Sequence, residues 1–279
     1  MFKDSKSLEV SCYVIGAGAF GIFFRWMQLQ LAYNEEGLPD ASMWNVLVPV
    51  LVIAMALVFR KFVAKFRSDG CCLPEDFFSA FANEGKLFTF FRWLAGIVMI
   101  AGSALLLISC ETDKNAAFLR VLGILGVLSG IAFPILLTTA NKPHVGNKST
   151  ISLLALMPIL LFAFWLVTCY KENSINPIGW DYAIQLAAII FTMIGFSFVA
   201  GYAYGVPDEY KSMLFCMLGG MMCITTLADS RNIGEQMMFV AAAMMLTMYN
   251  WIMIANLVKK EKRSVYSDVY EDEGFERIN

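Results

Sequence analysis

The stretch VSCYVIGAGAFGIFFRWMQLQLAY, residues 10–33, decides the fold class, because it is mainly apolar and contains a single charged residue, Arg25. An α-helix needs about 20 such residues to cross a hydrocarbon core of about 30 Å. The stretch lacks the alternation of polar and apolar residues that is typical of a membrane β-barrel strand. Because backbone polar groups in lipid must be satisfied within the segment, the stretch predicts a transmembrane helix.

Seven more apolar runs follow along the chain, and the composition agrees with them. Of the 279 residues 58% are hydrophobic and only 16% are charged, which is too few charges for an ordinary soluble surface. We therefore predict an all-α integral membrane protein, a bundle of about eight transmembrane helices. The predicted spans are Val10–Tyr33, Met43–Phe59, Trp93–Ser109, Ala116–Ala140, Ile151–Cys169, Tyr182–Tyr204, Ser212–Ala228 and Gln236–Leu257.

The distribution of Lys and Arg predicts the orientation of the bundle. With the N-terminus inside, 16 of the 21 basic residues lie in cytoplasmic segments, and only Lys114, Lys171 and Arg231 lie outside. We therefore predict a multi-pass protein of the plasma membrane with both termini in the cytoplasm. Residues 1–258 are predicted to form one transmembrane helical domain, and residues 259–279 a charged cytoplasmic tail.

The longest predicted cytoplasmic loop contains the sequence LPEDFFSAFANEGK, residues 73–86. Pro74 suits the first turn of a helix, and Phe77, Phe78 and Phe81 share one helical face. An apolar face on a short helix next to a membrane is typical of a segment that lies in the interface. We therefore predict one short cytoplasmic interfacial helix in addition to the spans.

Several sequence patterns resemble functional motifs but lack the structural context that those functions need. The chain has one histidine, His144, and its seven cysteines lack the spacing of metal ligands, so we expect no metal and no cofactor. The run GAGAFG at residues 16–21 matches the dinucleotide fingerprint but lies inside a predicted span, where glycines favour close helix packing. Gly126 and Gly130 form a GxxxG motif, which also predicts close helix packing. The sequence therefore disfavours an enzyme.

Arg25 is the deepest charge in the predicted spans. Helical periodicity places Gly18, Gly21, Arg25, Gln28 and Ala32 on one stripe, which is expected to face the interior of the bundle. A charge at this depth is costly unless it is paired, hydrated or directed towards the interface. The stripe therefore marks the place in the sequence where chemistry is expected.

Three interpretations of Arg25 remain open. It ties helix ends together, it contributes to an outward site for a small anion or lipid headgroup, or it pairs with an acidic residue of a membrane protein partner. The candidate ion-pair partners are Asp229, Glu235 and the pair Glu35 and Glu36. The candidate ligand-binding residues are Arg25, Gln28, Arg120 and Gln185.

Two function classes follow from this pattern. The first is a transporter-like or lipid-handling bundle with an outward polar site around Arg25 and Gln28. The alternative is a noncatalytic accessory subunit or sensor of a membrane complex, and an intramembrane enzyme ranks third. The expected partners are membrane lipid and a membrane protein, and the net charge of −2 gives no reason to expect nucleic acid. Whether Cys110 and Cys169 pair stays open.

Overall fold

The computed structural model describes residues 2–32, 43–83, 85–109, 116–141, 147–173 and 179–259, and in this part of the chain it is a helical bundle. A short antiparallel ladder joins Cys71–Cys72 to Val258–Lys259. The helices are α1 (Phe2–Leu31), α2 (Trp44–Ser68), α3 (Phe77–Phe81), α4 (Lys86–Ser109), α5 (Ala116–Ala140), α6 (Lys148–Asn173), α7 (Gly179–Ala203), α8 (Glu209–Thr225) and α9 (Ile233–Ala255).

The prediction of eight spans is confirmed, since eight helices in the described segments are long and apolar enough to cross a membrane. Three of them, α1, α2 and α4, continue by about two turns beyond the predicted spans at the end of the bundle where α1 begins. The added turns carry basic residues such as Lys65 and Lys86, which are helical but too polar for hydrocarbon. We call this end the N-terminal end and the other the opposite end.

Six helices, α4 to α9, form a closed ring in which each packs against the next and α9 returns to α4. Helix α1 lies outside this ring, in the groove between α8 and α9. Helix α2 lies further out, against α1 and α8. The ring therefore has a centre of its own, and the first two helices are attached to one side of it.

Aromatic side chains fill the centre of the ring. Ring centroids are 4.3 Å apart between Phe239 and Trp165, 5.5 Å between Trp165 and Phe162, and 5.7 Å between Phe162 and Phe196. The series continues to Tyr249, whose ring centroid lies 6.3 Å from that of Phe196. These five side chains, which we call the aromatic column, are buried and close the ring along its length.

The short predicted helix is confirmed as α3, and it closes the N-terminal end of the ring. Its Asp76 caps the helix by accepting a hydrogen bond from the backbone N–H of Ser79. Phe81 is 1% exposed and packs against Tyr202 and Tyr249 with ring centroids 5.3 and 5.4 Å apart. The apolar face of α3 is therefore directed into the bundle.

Side-chain hydrogen bonds hold α3 in this position. The Asn256 amide, just after α9, donates to the backbone carbonyls of Ala80 and Ala82 at 2.9 and 3.0 Å. Asn141, just after α5, exchanges two hydrogen bonds of 2.7 Å with the backbone of Asn83. The segment around α3 is therefore attached to two helices of the ring.

Glycines permit the close helix contacts that the sequence predicts. A Cβ atom added at Gly18 would lie 2.6 Å from Cβ of Ile224 on α8, and one at Gly130 would lie 2.9 Å from the Gly96 carbonyl on α4. Real Cβ atoms do not approach so closely. These glycines therefore set the distances between α1 and α8 and between α4 and α5.

Replacing Gly18 with alanine is expected to lower the stability of the bundle by about 1 to 3 kcal/mol, since α1 must move away from Ile224. Gly16 is the matched control, because nothing lies within 4 Å of a Cβ placed there. Gly16→Ala is expected to be neutral or slightly stabilising through helix propensity. Unfolding midpoints of the purified variants in detergent measure the difference, and equal midpoints would contradict the packing.

Candidate functional site

Arg25 on α1 is paired with Asp229, which follows the 3₁₀ turn at the end of α8. The Arg25 Nε–H donates to Oδ1 of Asp229 at 2.7 Å, and the Arg25 side chain is 1% exposed. Asp229 lies just after this turn, and its side chain is 8% exposed. The ion pair therefore joins α1 to the connection between α8 and α9.

The second carboxylate oxygen of Asp229 is also fully used. Its Oδ2 accepts a hydrogen bond from Nη2 of Arg231 at 2.6 Å and one from the hydroxyl of Thr226 at 2.9 Å. Asp229 thus lies between two arginines, and the three side chains carry a net charge of about +1 when all are ionised. We call Arg25, Asp229 and Arg231 the charged triad.

Gln28 extends this network from the triad to α2. The Arg25 Nη1–H donates to Oε1 of Gln28 at 2.8 Å, and the Gln28 amide donates to Oδ1 of Asn45 at 3.0 Å. Arg25 and Gln28 lie one turn apart on α1, as the predicted stripe requires. Gln28 therefore orients the guanidinium of Arg25 and fastens α2 to α1.

The segment that carries Asp229 and Arg231 is held at both ends. The Gln236 amide donates to the backbone carbonyl of Asp229 at 3.1 Å. Asn232 caps α9 by accepting from the Gly234 N–H at 2.9 Å, and its amide donates to the hydroxyl of Ser109 at 2.8 Å. These bonds fix the segment and place the side chain of Arg231 beside the carboxylate of Asp229.

A polar cavity of about 390 Å³ lies at the opposite end of the bundle, beside the charged triad. This volume is within the range typical of small-molecule sites, about 300 to 1,000 Å³. Side chains of α1, α6, α7 and α9 and of the segment before α9 form its wall. The lining residues are Arg25, Leu29, Glu172, Asn173, Tyr182, Gln185, Asp229, Ser230, Arg231, Asn232 and Glu235.

The cavity lies directly above the aromatic column. The guanidinium carbon of Arg231 lies 5.9 Å from the ring centroid of Phe239, the first residue of the column. This distance is within the range of a cation–π contact. The described structure therefore has a polar cavity at one end of the ring, an aromatic column in its centre and α3 at the other end.

Four of the residues singled out in the sequence line this cavity, namely Arg25, Gln185, Asp229 and Glu235. Gln28 is 1% exposed and lies behind Arg25. Arg120 is exposed on α5, which packs against α4 and α6, and it does not line the cavity. Its depth along the span resembles that of Arg25, but depth does not determine the direction in which a side chain points.

Arg231 is the residue that the sequence reasoning missed. It was counted only as one of three outer basic residues, yet its side chain is 11% exposed and contacts both Asp229 and the cavity. The available signal was the polar run DSRN, residues 229–232, which connects two spans without a hydrophobic residue. A connection this short must keep its charged side chains close to the helix ends.

Two polar groups at the cavity have capacity to bind a ligand. Nη1 of Arg231 is buried and has no hydrogen-bond partner. The carboxylate of Glu235, in the first turn of α9, also has no hydrogen bond within the described segments, and Arg231 acts on it electrostatically. A buried donor without a partner requires an explanation, and an absent ligand is one such explanation.

Comparisons of this chain with protein-family models, with curated proteins and with solved structures found no match. Function is therefore inferred from the cavity and its charged groups. Among the described residues, no group of three or more His, Cys, Asp or Glu side chains is placed to hold a metal ion. Cys110, the Glu35 and Glu36 pair, and residues 260–279 of the predicted tail lie outside the described residues.

Replacing Asp229 with asparagine is expected to reduce the free energy of unfolding by about 3 to 5 kcal/mol, because two largely buried arginines then lose their shared counter-ion. The matched control is Asp69→Asn, an exposed carboxylate at the N-terminal end whose removal is expected to have little effect. Denaturation in detergent measures both variants.

A double-mutant cycle with Arg25→Gln separates the pair from the rest of the triad. The double variant Arg25→Gln with Asp229→Asn is expected to lose less stability than the sum of the two single variants, because the pair is then removed as a unit. Strict additivity of the two losses would show that the ion pair does not stabilise the fold.

Proposed function

We propose that this chain is a transporter-like or lipid-handling bundle whose polar cavity binds the anionic group of a small solute or lipid headgroup. The observation that carries the proposal is Nη1 of Arg231, a buried donor without a partner on a residue that lines the cavity. Arginine N–H groups bind carboxylate and phosphate oxygens through short, charge-assisted hydrogen bonds. An anionic group in the cavity would satisfy this donor.

The charge of the triad supports the same ligand class. Asp229 neutralises one of its two arginine neighbours, so the triad keeps a net charge of about +1, in a wall that also contains Glu172 and Glu235. Arg25 is oriented by Gln28, and Arg231 is oriented by Asp229. The donors are therefore fixed before a ligand arrives, which reduces the entropic cost of binding.

The position of the cavity supports a transport role. It lies at one mouth of a six-helix ring, and the aromatic column and α3 close the remaining length of that ring. Transporters often bind ligands between helices and open alternately towards the two sides of the membrane. In this proposal the structure corresponds to a state in which the N-terminal end is closed.

The orientation is part of the proposal. The basic turns of α2 and α4 belong to the N-terminal end, so the positive-inside rule assigns this end to the cytoplasm. The cavity then opens outside the cell, in the plasma membrane. An outer site would collect its ligand from the medium or from the outer lipid leaflet.

A noncatalytic accessory subunit or sensor is the alternative function. Helix α2 favours it, because its position outside α1 leaves a row of large apolar residues exposed. These are Val46, Val50, Ile53 and Leu57, which are 52 to 64% exposed. A helix of a partner protein could cover this row, and so could lipid. A subunit would co-purify with a stoichiometric partner and would need no ligand in the cavity.

Cysteine substitution at Ser230, an exposed residue of the cavity wall, tests the site and its side of the membrane. In intact cells, Ser230→Cys is expected to react with a membrane-impermeant maleimide. Phosphate, acetate or an anionic phospholipid with a short acyl chain is expected to slow this reaction by filling the cavity. The labelled fraction of the protein over time is the measurement.

Ser68→Cys is the control, since Ser68 is exposed at the N-terminal end and is expected to react only after the cells are permeabilised. The unsubstituted protein gives the background from native cysteines. Labelling of Ser68→Cys in intact cells, with Ser230→Cys reacting only after permeabilisation, would reverse the proposed orientation. External labelling that none of the probes slows would favour the accessory subunit.

Shortening Phe81 tests whether α3 closes a pathway. Native Cys216 is buried near Tyr249 and Tyr202, the two rings that Phe81 contacts. Phe81→Ala is expected to increase the rate of Cys216 alkylation by about tenfold, which corresponds to ~1.4 kcal/mol lost from the closed state. Peptide mass spectrometry after a maleimide pulse, well below the melting temperature, gives the rate for each cysteine.

Phe90→Ala is the matched control, because Phe90 is 60% exposed on the outer surface of α4 and its ring is lost without opening the bundle. It is expected to leave the alkylation rate of Cys216 unchanged. A melting temperature that falls in Phe81→Ala without faster alkylation of Cys216 would make α3 a packing element only.

A further inference from the structure

Glu235 is a second charged group at the cavity, and its surroundings differ from those of Asp229. Asp229 accepts three side-chain hydrogen bonds, from Arg25, Arg231 and Thr226. Glu235 accepts none within the described residues, although it is half-buried on the wall of the same cavity. The two carboxylates therefore have different roles, one within the protein and one towards the cavity.

The geometry of the neighbouring arginine strengthens this difference. Arg231 acts electrostatically on Glu235, but its Nη2 is committed to Asp229 and its Nη1 has no hydrogen-bond partner. The cavity wall thus presents an unsatisfied donor of positive charge and an unsatisfied acceptor of negative charge. Arg231 therefore keeps one free donor nitrogen, and the carboxylate of Glu235 keeps its acceptor sites.

We infer that the ligand of this cavity is a zwitterion, whose anionic group binds Nη1 of Arg231 and whose ammonium group binds the carboxylate of Glu235. This inference rests on the proposed function of the cavity and narrows its ligand class. Free amino acids, betaines and the headgroups of zwitterionic phospholipids all share this pair of charges. The shared chemistry is one oxyanion and one amine-derived cation on the same small molecule.

Electrostatics favours a ligand with both charges over a ligand with one. A simple anion would satisfy Arg231 but would add a negative charge next to Glu235, and a simple cation would leave Nη1 of Arg231 without a partner. A zwitterion adds no net charge to the partly buried site and satisfies both groups. Unpaired polar groups in a partly buried site are costly. A ligand that carries only one of the two charges is therefore expected to bind much more weakly than a zwitterion.

The size of the cavity agrees with such a ligand. A volume of about 390 Å³ is at the lower end of the range for small-molecule sites, so it admits a compact solute or a lipid headgroup. Tyr182, Gln185 and Asn173 also line the cavity and offer neutral hydrogen-bonding groups. These side chains can contact the uncharged part of the ligand and determine which zwitterion fits.

The test uses the full-length protein purified in detergent and titrated with probes of matched size. The zwitterions are the free amino acids, glycine betaine and glycerophosphoethanolamine. Their anionic counterparts are acetate, propionate and phosphate, and their cationic counterparts are ethylammonium and choline. At least one zwitterion is expected to raise the melting temperature and to bind, by calorimetry, at least about tenfold more tightly than its matched anion and cation.

Substitutions that remove one charge at a time assign the two charges. Arg231→Gln and Glu235→Gln are each expected to weaken binding of the same zwitterion by about tenfold or more. Glu235→Gln removes no hydrogen bond within the described structure, so its melting temperature without ligand is expected to stay near that of the wild type. The matched controls are Glu9→Gln and Arg60→Gln, exposed side chains outside the cavity, which are expected to retain binding.

Nanodiscs separate a free solute from a lipid headgroup. Stabilisation by phosphatidylethanolamine nanodiscs over phosphatidylglycerol nanodiscs, lost in Glu235→Gln, would support a zwitterionic headgroup. Stabilisation by a soluble zwitterion in either lipid would support a free solute. Binding of an anion as tight as that of every zwitterion, unchanged in Glu235→Gln, would overturn the inference and leave the anion site intact. The absence of binding by every probe and lipid would overturn both.

Discussion

The ion pair between Arg25 and Asp229 is the constraint on which the arrangement of the opposite end depends. Lipid cannot solvate the guanidinium of Arg25, so its charge requires a partner within the protein. The turn after α8 supplies the carboxylate, and the pair joins the peripheral helix α1 to the six-helix ring. The hydrogen bond from Gln28 to Asn45 then attaches α2 to α1.

The same ion pair creates the conditions for a binding site. Because Asp229 is shared between Arg25 and Arg231, each of its oxygens accepts a hydrogen bond from an arginine and the triad keeps a net positive charge. The aromatic column closes the ring just beneath Arg231, so polar ligands can collect only at the mouth of the ring. The structural ion pair and the proposed ligand site therefore occupy the same place for one physical reason, the scarcity of charge inside a membrane protein.

The ring also explains why the tightest glycine contacts occur where they do. Helix association in lipid lacks a hydrophobic drive, so close approach at Gly18 and Gly130 supplies van der Waals contact instead. The open position of Gly16, two residues from Gly18, shows that only one face of α1 meets the ring. The polar seam of α1 follows that same face, which brings Arg25 towards Asp229 and away from lipid.

The sequence by itself determined the class of the protein, the eight spans, the short helix α3 and the inward direction of the Arg25 stripe. Hydrocarbon thickness, helical rise and the cost of unpaired backbone groups fix these features locally, along single segments. Only the tertiary structure decided which helices are neighbours. Arg120 and Arg25 have similar depth, yet Arg120 lies on the surface of α5, while Arg231 from a short connection reaches the cavity. Depth follows from position along one helix, whereas the composition of a site depends on helix order and rotation, which arise from contacts between segments distant in sequence.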